Sequence, residues 1–412
     1  MQNGLLRLAA YAGCVSTLII LFGTSNVTLF EAKTKWLVQE AQSAAVFFVQ
    51  SITAAQIQNN YQDAQSAKKV RILIVPGHQT DTGGTEFNGV HERDIVVDIA
   101  NTLAELLAQN PHYDTMISRT KSAWNPILQT YFDTHALEIE TFKQSQALQM
   151  ANYIASGRFI LEDDQVYHNT APSAAALQLY GINKWTSDNE YDMTLHLHLN
   201  DYAGRRARSA GEYDGFMIYV PDSQYSNAAA SRAIAEAITA RLNRYHATST
   251  LPKEDIGIVE DRELIAVGSN NSADGAALLI EYGYIYEPQF QESSVRSVAI
   301  ADYAYQTYLG LQDFFGDPIS PTFGSVSFPY DWSDVDAKKG ESGPGVYALQ
   351  AALRYFGYYP PVGKSFSDCP VSGVARVCTR DAIMAYQRAH GLEATGVVGP
   401  QTRATLSRET AR

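Results

Sequence analysis

The chain has 412 residues, 45% of them apolar, which is enough for a full core and roughly two or three domains. Its 44 acids outnumber its 31 Lys and Arg, giving a formal net charge of -13. This balance, with no Lys/Arg cluster, argues against nucleic-acid binding and excludes simple charge attraction to anionic polymers as a source of affinity.

At the N-terminus, Arg7 precedes an apolar stretch from residue 8 to 22, followed by Gly23-Thr24-Ser25-Asn26. A spanning helix needs about 20 apolar residues, so this run suits a signal-peptide core. Continuation through Val27, Leu29 and Phe30 would instead make a retained membrane anchor. Residues 1–30 are therefore read as signal peptide or anchor, and the protein as exported to the cell envelope. Residues 31–69 are rich in Ala and Gln and lack Pro and Gly, which predicts a helical stalk or linker.

A buried strand is predicted from Val70 through Val75, stopped by Pro76-Gly77 and followed at once by His78. Glu92, in His91-Glu92-Arg93-Asp94, sits in the first turn of a helix, where acids suit the dipole. The helix at 94–109 carries an apolar stripe of Ile95, Ile99, Leu103, Leu106 and Leu107. A strand at 113–119 and a helix at 138–156 follow. The stretch from 121 to 191, which contains this helix, runs longer than a connection needs. The strand Met193-Thr194-Leu195-His196-Leu197-His198 alternates His with Leu, so both imidazoles point to one side. Next come a strand at 215–220, a helix at 227–245, and the strand Ala276-Ala277-Leu278-Leu279-Ile280-Glu281. An acid closing five apolar residues is costly to bury unless it is paired or ligating. The alternation over 70–316 predicts an α/β fold, a mixed central sheet flanked by helices. Residues 317–344, rich in Pro, Gly and Ser, read as a linker before a final domain at 345–412. There Cys369 and Cys378 flank a turn, and export would allow them to oxidise. Closing so short a loop stabilises by roughly 2–3 kcal/mol in the chain-entropy model.

His78, His198 and Glu281 each close a strand, and in an open α/β sheet such ends converge on one crevice. Two His and one carboxylate leave an open position on Zn²⁺, the pattern of catalytic zinc. Each residue has a plainer explanation alone. His78 could be a hydrogen-bonded loop residue, Glu92 a first-turn acid, and His196 or His198 a satisfied core histidine. The four together are harder to explain that way.

In these elements the sequence resembles the zinc-dependent N-acetylmuramoyl-L-alanine amidases. The pattern of that family is a strand into Asp-Pro-Gly-His, a Glu opening the next helix, a strand into Ser-x-His-x-Asn, and Val-Glu-x-Gly-Phe. Here these read Val75-Pro76-Gly77-His78, Glu92-Arg93-Asp94-Ile95, His196-Leu197-His198-Leu199-Asn200 and Ile280-Glu281-Tyr282-Gly283-Tyr284, in the same order. The resemblance implies that His78, Glu92 and His198 hold Zn²⁺ and that Glu281 is the catalytic acid/base rather than a ligand. It implies cleavage of the amide between N-acetylmuramic acid and L-alanine in peptidoglycan. The sequence departs from the pattern at Val75, at Gln79-Thr80 (the nearest Gly pair is Gly83-Gly84), at His196, and near Gly268, where an Arg is usual. Residues 157–189 look like an insertion relative to the family. Some relatives cover the zinc with such a segment. Glu162, Asp163 and Asp164 would serve a cover, or be solvated acids on a surface excursion.

The end of the chain resembles the small three-helix peptidoglycan-binding domain. The resemblance rests on Leu349-Gln350, Tyr386-Gln387 and Gly396-Val397-Val398-Gly399-Pro400-Gln401-Thr402. Peptidoglycan is then the expected partner. Two rivals remain on the sequence: an inactive wall-binding or regulatory protein, and a zinc peptidase cutting within the stem peptide. All four candidate residues precede the linker, so the catalytic fold is expected to form without the C-terminal domain.

Overall fold

The computed structural model describes residues 52–62, 69–161, 166, 168, 170–206, 208–317 and 331–410. The expected signal peptide or anchor, the first part of the stalk, Glu162, Asp163 and Asp164, and linker residues 318–330 lie outside the described residues. No helix among the described residues is long and apolar enough to cross a membrane.

The first described element is helix α1 (Ala54–Gln62). It buries Ile57 and Tyr61, and Gln58 Nε2 donates to the Phe314 carbonyl at 2.6 Å. This part of the 31–69 segment therefore lies against the catalytic body. Strand β1 (Val70–Pro76), a short hairpin of β2 (Glu86–Phe87) and β3 (Val90–His91), helix α2 (Glu92–Leu107) and strand β4 (Tyr113–Ile117) follow. Helices α3 (Pro126–Thr134), α4 (Ala136–Ala155) and α5 (Ser173–Asp188) then lead into β5 (Met193–Asn200) and β6 (Met217–Pro221). Helix α6 (Ala228–Leu242), β7 (Ile258–Asp261), β8 (Ala276–Tyr284), α7 (Pro288–Gln291) and α8 (Ser293–Phe315) complete the α/β part.

Six strands form one sheet in the order β4-β1-β5-β8-β6-β7. All neighbours are parallel except β6 and β8, so the sheet is mixed. The unbroken apolar run of β1 reflects burial on both faces. Ile72 and Ile74 join the core with Ile95 and Ile99 of α2, while Leu73 and Val75 pack with Ile182 and Trp185 of α5. Helix α5 explains much of the length of the 157–189 segment, because it roofs one face of the sheet.

The C-terminal helices are α9 (Pro344–Tyr355), α10 (Val377–Ala389) and α11 (Pro400–Thr410), with Cys369 and Cys378 disulfide-bonded. They are not held apart from the sheet. Val295, Ala299 and Tyr303 of α8 belong to one buried cluster with Val346, Tyr347 and Ala351 of α9. The Tyr347 hydroxyl donates to buried Asp302 Oδ2 at 3.2 Å, and the His246 ring meets the same oxygen at 3.2 Å. Arg354 Nε donates to the Arg244 carbonyl at 2.7 Å. The described end of the joint is packed as well, with Trp332 Nε1 donating to Thr410 Oγ1 at 2.9 Å.

Candidate active site

β1 delivers the chain to a turn that only a small residue can make. A Cβ on Gly77 would lie 2.2 Å from Cε1 of His198, so the backbone passes directly against that ring. His78 follows with φ 66°, a left-handed conformation that non-glycine residues adopt only when their surroundings impose it. The surroundings are visible. Arg119, just beyond β4, is 1% exposed, and its guanidinium donates to the carbonyls of Pro76 (3.2 Å), Gly77 and Arg93 (3.0 Å). Burial, partly opposed by the Asp94 and Glu92 charges, lowers its pKa to about 10, so it remains cationic at neutral pH. On the far side Gly83 and Gly84, both with positive φ, curl around His78. A Cβ on Gly84 would stand 3.0 Å from His78 Cδ2 and 3.2 Å from Glu92 Oε2.

Glu92 is the first residue of α2 and is 2% exposed. Oε2 accepts the Thr85 N–H at 2.8 Å, and Oε1 accepts that of Leu199 at 3.1 Å. Oε1 also lies 2.8 Å from His78 Nε2 and 3.0 Å from His198 Nδ1. Burial alone would raise the pKa of Glu92. The His78 charge and hydrogen bonds from both imidazoles overcome this and hold it well below the usual carboxylate range. His198 is shifted downward, mainly by burial, which favours the neutral imidazole a metal requires. The ligand atoms of His78, Glu92 and His198 all lie within 4.8 Å of one another. Two imidazoles and one carboxylate fit Zn²⁺ with an open position, and fit Mg²⁺ or Ca²⁺ poorly.

Glu281 lies on β8 directly opposite His198 in the parallel register. Its Oε2 is buried and has no hydrogen-bond partner among the described residues. Burial, then the charges of Glu92 and Glu254, push its pKa well above the ordinary value. The two neighbouring carboxylates are thus shifted in opposite directions, Glu92 down and Glu281 up. This is the arrangement expected where one is a ligand and the other handles protons. His196 points to the same side of β5 but lies outside the three-residue group. Among the described residues neither of its buried nitrogens has a partner, and burial lowers its pKa to about 3, so it is neutral.

Sequence reasoning missed Arg119, the close approach at Gly77 and the buried Glu254. An Arg following a strand that pairs with β1 was the one available signal. Gly77→Ala should displace the His198 ring, lower stability by roughly 1–3 kcal/mol and weaken metal binding. Melting and metal titration of the variant check this, and wild-type metal affinity would show that the turn tolerates a side chain.

Residues 72–313 match the N-acetylmuramoyl-L-alanine amidase family, and residues 342–406 match the peptidoglycan binding domain family. Among solved structures, similar chains include the CwlD amidase of Clostridioides difficile in complex with the GerS lipoprotein. It has 14% identity, with 60% of this chain and 99% of that chain covered and a TM-score of 0.39. Another is the N-acetylmuramyl-L-alanine amidase Ami1 of Mycobacterium smegmatis, with 14% identity, 60% and 97% coverage and a TM-score of 0.38. A third is the catalytic domain of CwlV from Bacillus (Paenibacillus) polymyxa, with 16% identity, 60% and 98% coverage and a TM-score of 0.37. No curated protein matches the chain. The amidase match spans more than half of the sequence, and the chain belongs to the N-acetylmuramoyl-L-alanine amidase family.

Proposed function

We propose that this amidase is an exported, zinc-dependent enzyme that cleaves the amide between N-acetylmuramic acid and L-alanine in peptidoglycan. The observation that carries this reading is the convergence of His78 Nε2, His198 Nδ1 and Glu92 Oε1 beside the buried carboxyl of Glu281. His78, Glu92 and His198 would hold the metal. A Zn²⁺ there would supply the positive charge that acidifies water and polarises an amide carbonyl. Glu281, with an oxygen that has no other partner among the described residues, would take the proton from the attacking water and deliver it to the leaving amine. The turn carbonyls pinned by Arg119 and the glycines around His78 keep the ligand-bearing loops from drifting. The C-terminal domain would hold the enzyme on the insoluble polymer. The N-terminal apolar stretch, as signal peptide or anchor, and the Cys369–Cys378 bond both suit an oxidising envelope compartment.

Metal analysis should find one zinc per chain, removable by chelator with loss of activity. Digestion of purified peptidoglycan, followed by mass spectrometry, should release stem peptides with a free L-alanine amine and leave a lactyl carboxylate on the glycan. New termini inside the stem would make the enzyme a peptidase. Absence of any cleavage by zinc-loaded protein would make it a wall-binding protein.

A further inference from the structure

Outside the four residues above, the carboxylate of Glu254 is buried and fully engaged by hydrogen-bond donors. It lies in the loop before β7 and is 1% exposed. Four neutral donors converge on it. Oε1 accepts the Tyr219 hydroxyl at 2.7 Å. Oε2 accepts Ser249 Oγ at 2.6 Å, Asn200 Nδ2 at 2.9 Å and the Tyr284 hydroxyl at 3.1 Å. Four donors are about the full capacity of a carboxylate. A buried charge is otherwise expensive, so the group serves as a fixed anchor rather than a solvated one.

The donors identify what is anchored. Asn200 ends β5, two residues after His198, and its Oδ1 in turn accepts the Asp201 N–H at 2.8 Å. Tyr284 ends β8, three residues after Glu281. Tyr219 is on β6, two residues beyond Met217, which pairs with Glu281 across the antiparallel junction. Between His198 and Asn200 the β5–β8 register slips, so the ladder itself does not define the geometry there. Glu254 spans that irregularity. Its charge is also one of the two carboxylates acting on Glu281.

We propose that Glu254 is a positioning residue of the amidase site, whose buried carboxylate ties Asn200, Tyr219 and Tyr284 together and so fixes the strand ends that carry His198 and Glu281. The proposal rests on the amidase reading above for its kinetic consequence but not for its structural one. Glu254→Gln keeps the shape and removes the charge, and Tyr219→Phe deletes a single donor while leaving the fold's packing intact. With zinc-loaded full-length protein and a soluble muropeptide, Glu254→Gln should lower kcat roughly 10-fold or more, a scale set by misplacing a catalytic group by a fraction of an ångström to an ångström. Tyr219→Phe should lower it a few-fold. KM and zinc content should stay at wild-type values in both. A merely structural role would lower the melting temperature and leave kcat per folded, zinc-loaded molecule unchanged, and that result overturns the proposal. If Glu254→Gln does not fold, Tyr219→Phe alone decides by the same split. A crystal structure of either variant supplies a readout free of substrate. Glu281 and Asn200 should shift or split between rotamers, and side chains in place as in wild type would overturn the proposal. If wild-type protein cleaves no muropeptide, the amidase reading fails while this crystallographic comparison still judges Glu254.

Discussion

Glu281→Gln should keep the metal and lose at least ~10²-fold in kcat, the usual scale of general acid–base catalysis. His198→Ala should lose metal and activity together. The geometry separates the two outcomes. His198 Nδ1 belongs to the three-atom group around Glu92, and removing it leaves two ligands that hold an ion poorly. Glu281 stands outside that group, with one buried oxygen that has no hydrogen-bond partner among the described residues. Glutamine there fills the same space but cannot accept a proton from water and return it to an amine. The defect should lower kcat and kcat/KM alike, because proton transfer matters only in the transition state. Metal content measured beside turnover decides the roles. If Glu281→Gln also empties the site, Glu281 is a ligand, and the open position assigned to water is occupied by protein.

The residues that meet at the centre were legible because each sits where local pattern changes. His78 follows a run of β-branched and aliphatic residues, His198 and Glu281 end such runs, and Glu92 opens an apolar-striped helix. The structure brings His78, Glu92 and His198 into one group and sets Glu281 beside it. What supports them was not legible, because it arrives from far along the chain. Arg119 reaches the carbonyl of Gly77 across 42 positions of sequence. Glu254 lies in Leu251-Pro252-Lys253-Glu254-Asp255, which reads as a solvated turn; only tertiary packing gives it four donors. The antiparallel setting of β6 was equally hidden, since its apolar content is the same in either direction. Helix α5 was hidden inside a segment read as an insertion, although Trp185 and Ile182 carry part of the core against β1.

Removing residues 345–412 should do more than weaken wall binding: the remaining chain should melt far below the full-length protein or fail to stay soluble. The sequence leads to the opposite expectation, because every candidate catalytic residue precedes the joint. The structure changes it through α8. That helix buries one side under the sheet and presents Val295, Ala299 and Tyr303 to a cluster completed by Val346, Tyr347 and Ala351. Truncation would return these side chains to water, at about 1.5–3 kcal/mol for each large one fully exposed. It would also strip the Tyr347 donor from Asp302, a carboxylate with no exposure, at a further ~1–3 kcal/mol. A few such losses equal the whole net stability of a typical domain, about 5–15 kcal/mol. Turnover of a soluble muropeptide should therefore fall along with pelleting on wall sacculi, for a reason unrelated to affinity. Tyr347→Phe separates the two effects: it removes one hydrogen bond, should cost about 1–3 kcal/mol in denaturant unfolding, and should leave pelleting intact. If the truncated protein instead melts and turns over like the full chain, the α8 face is stable in water. The interface would then contribute little, and the C-terminal helices would be a separable tether that raises local enzyme concentration on the wall.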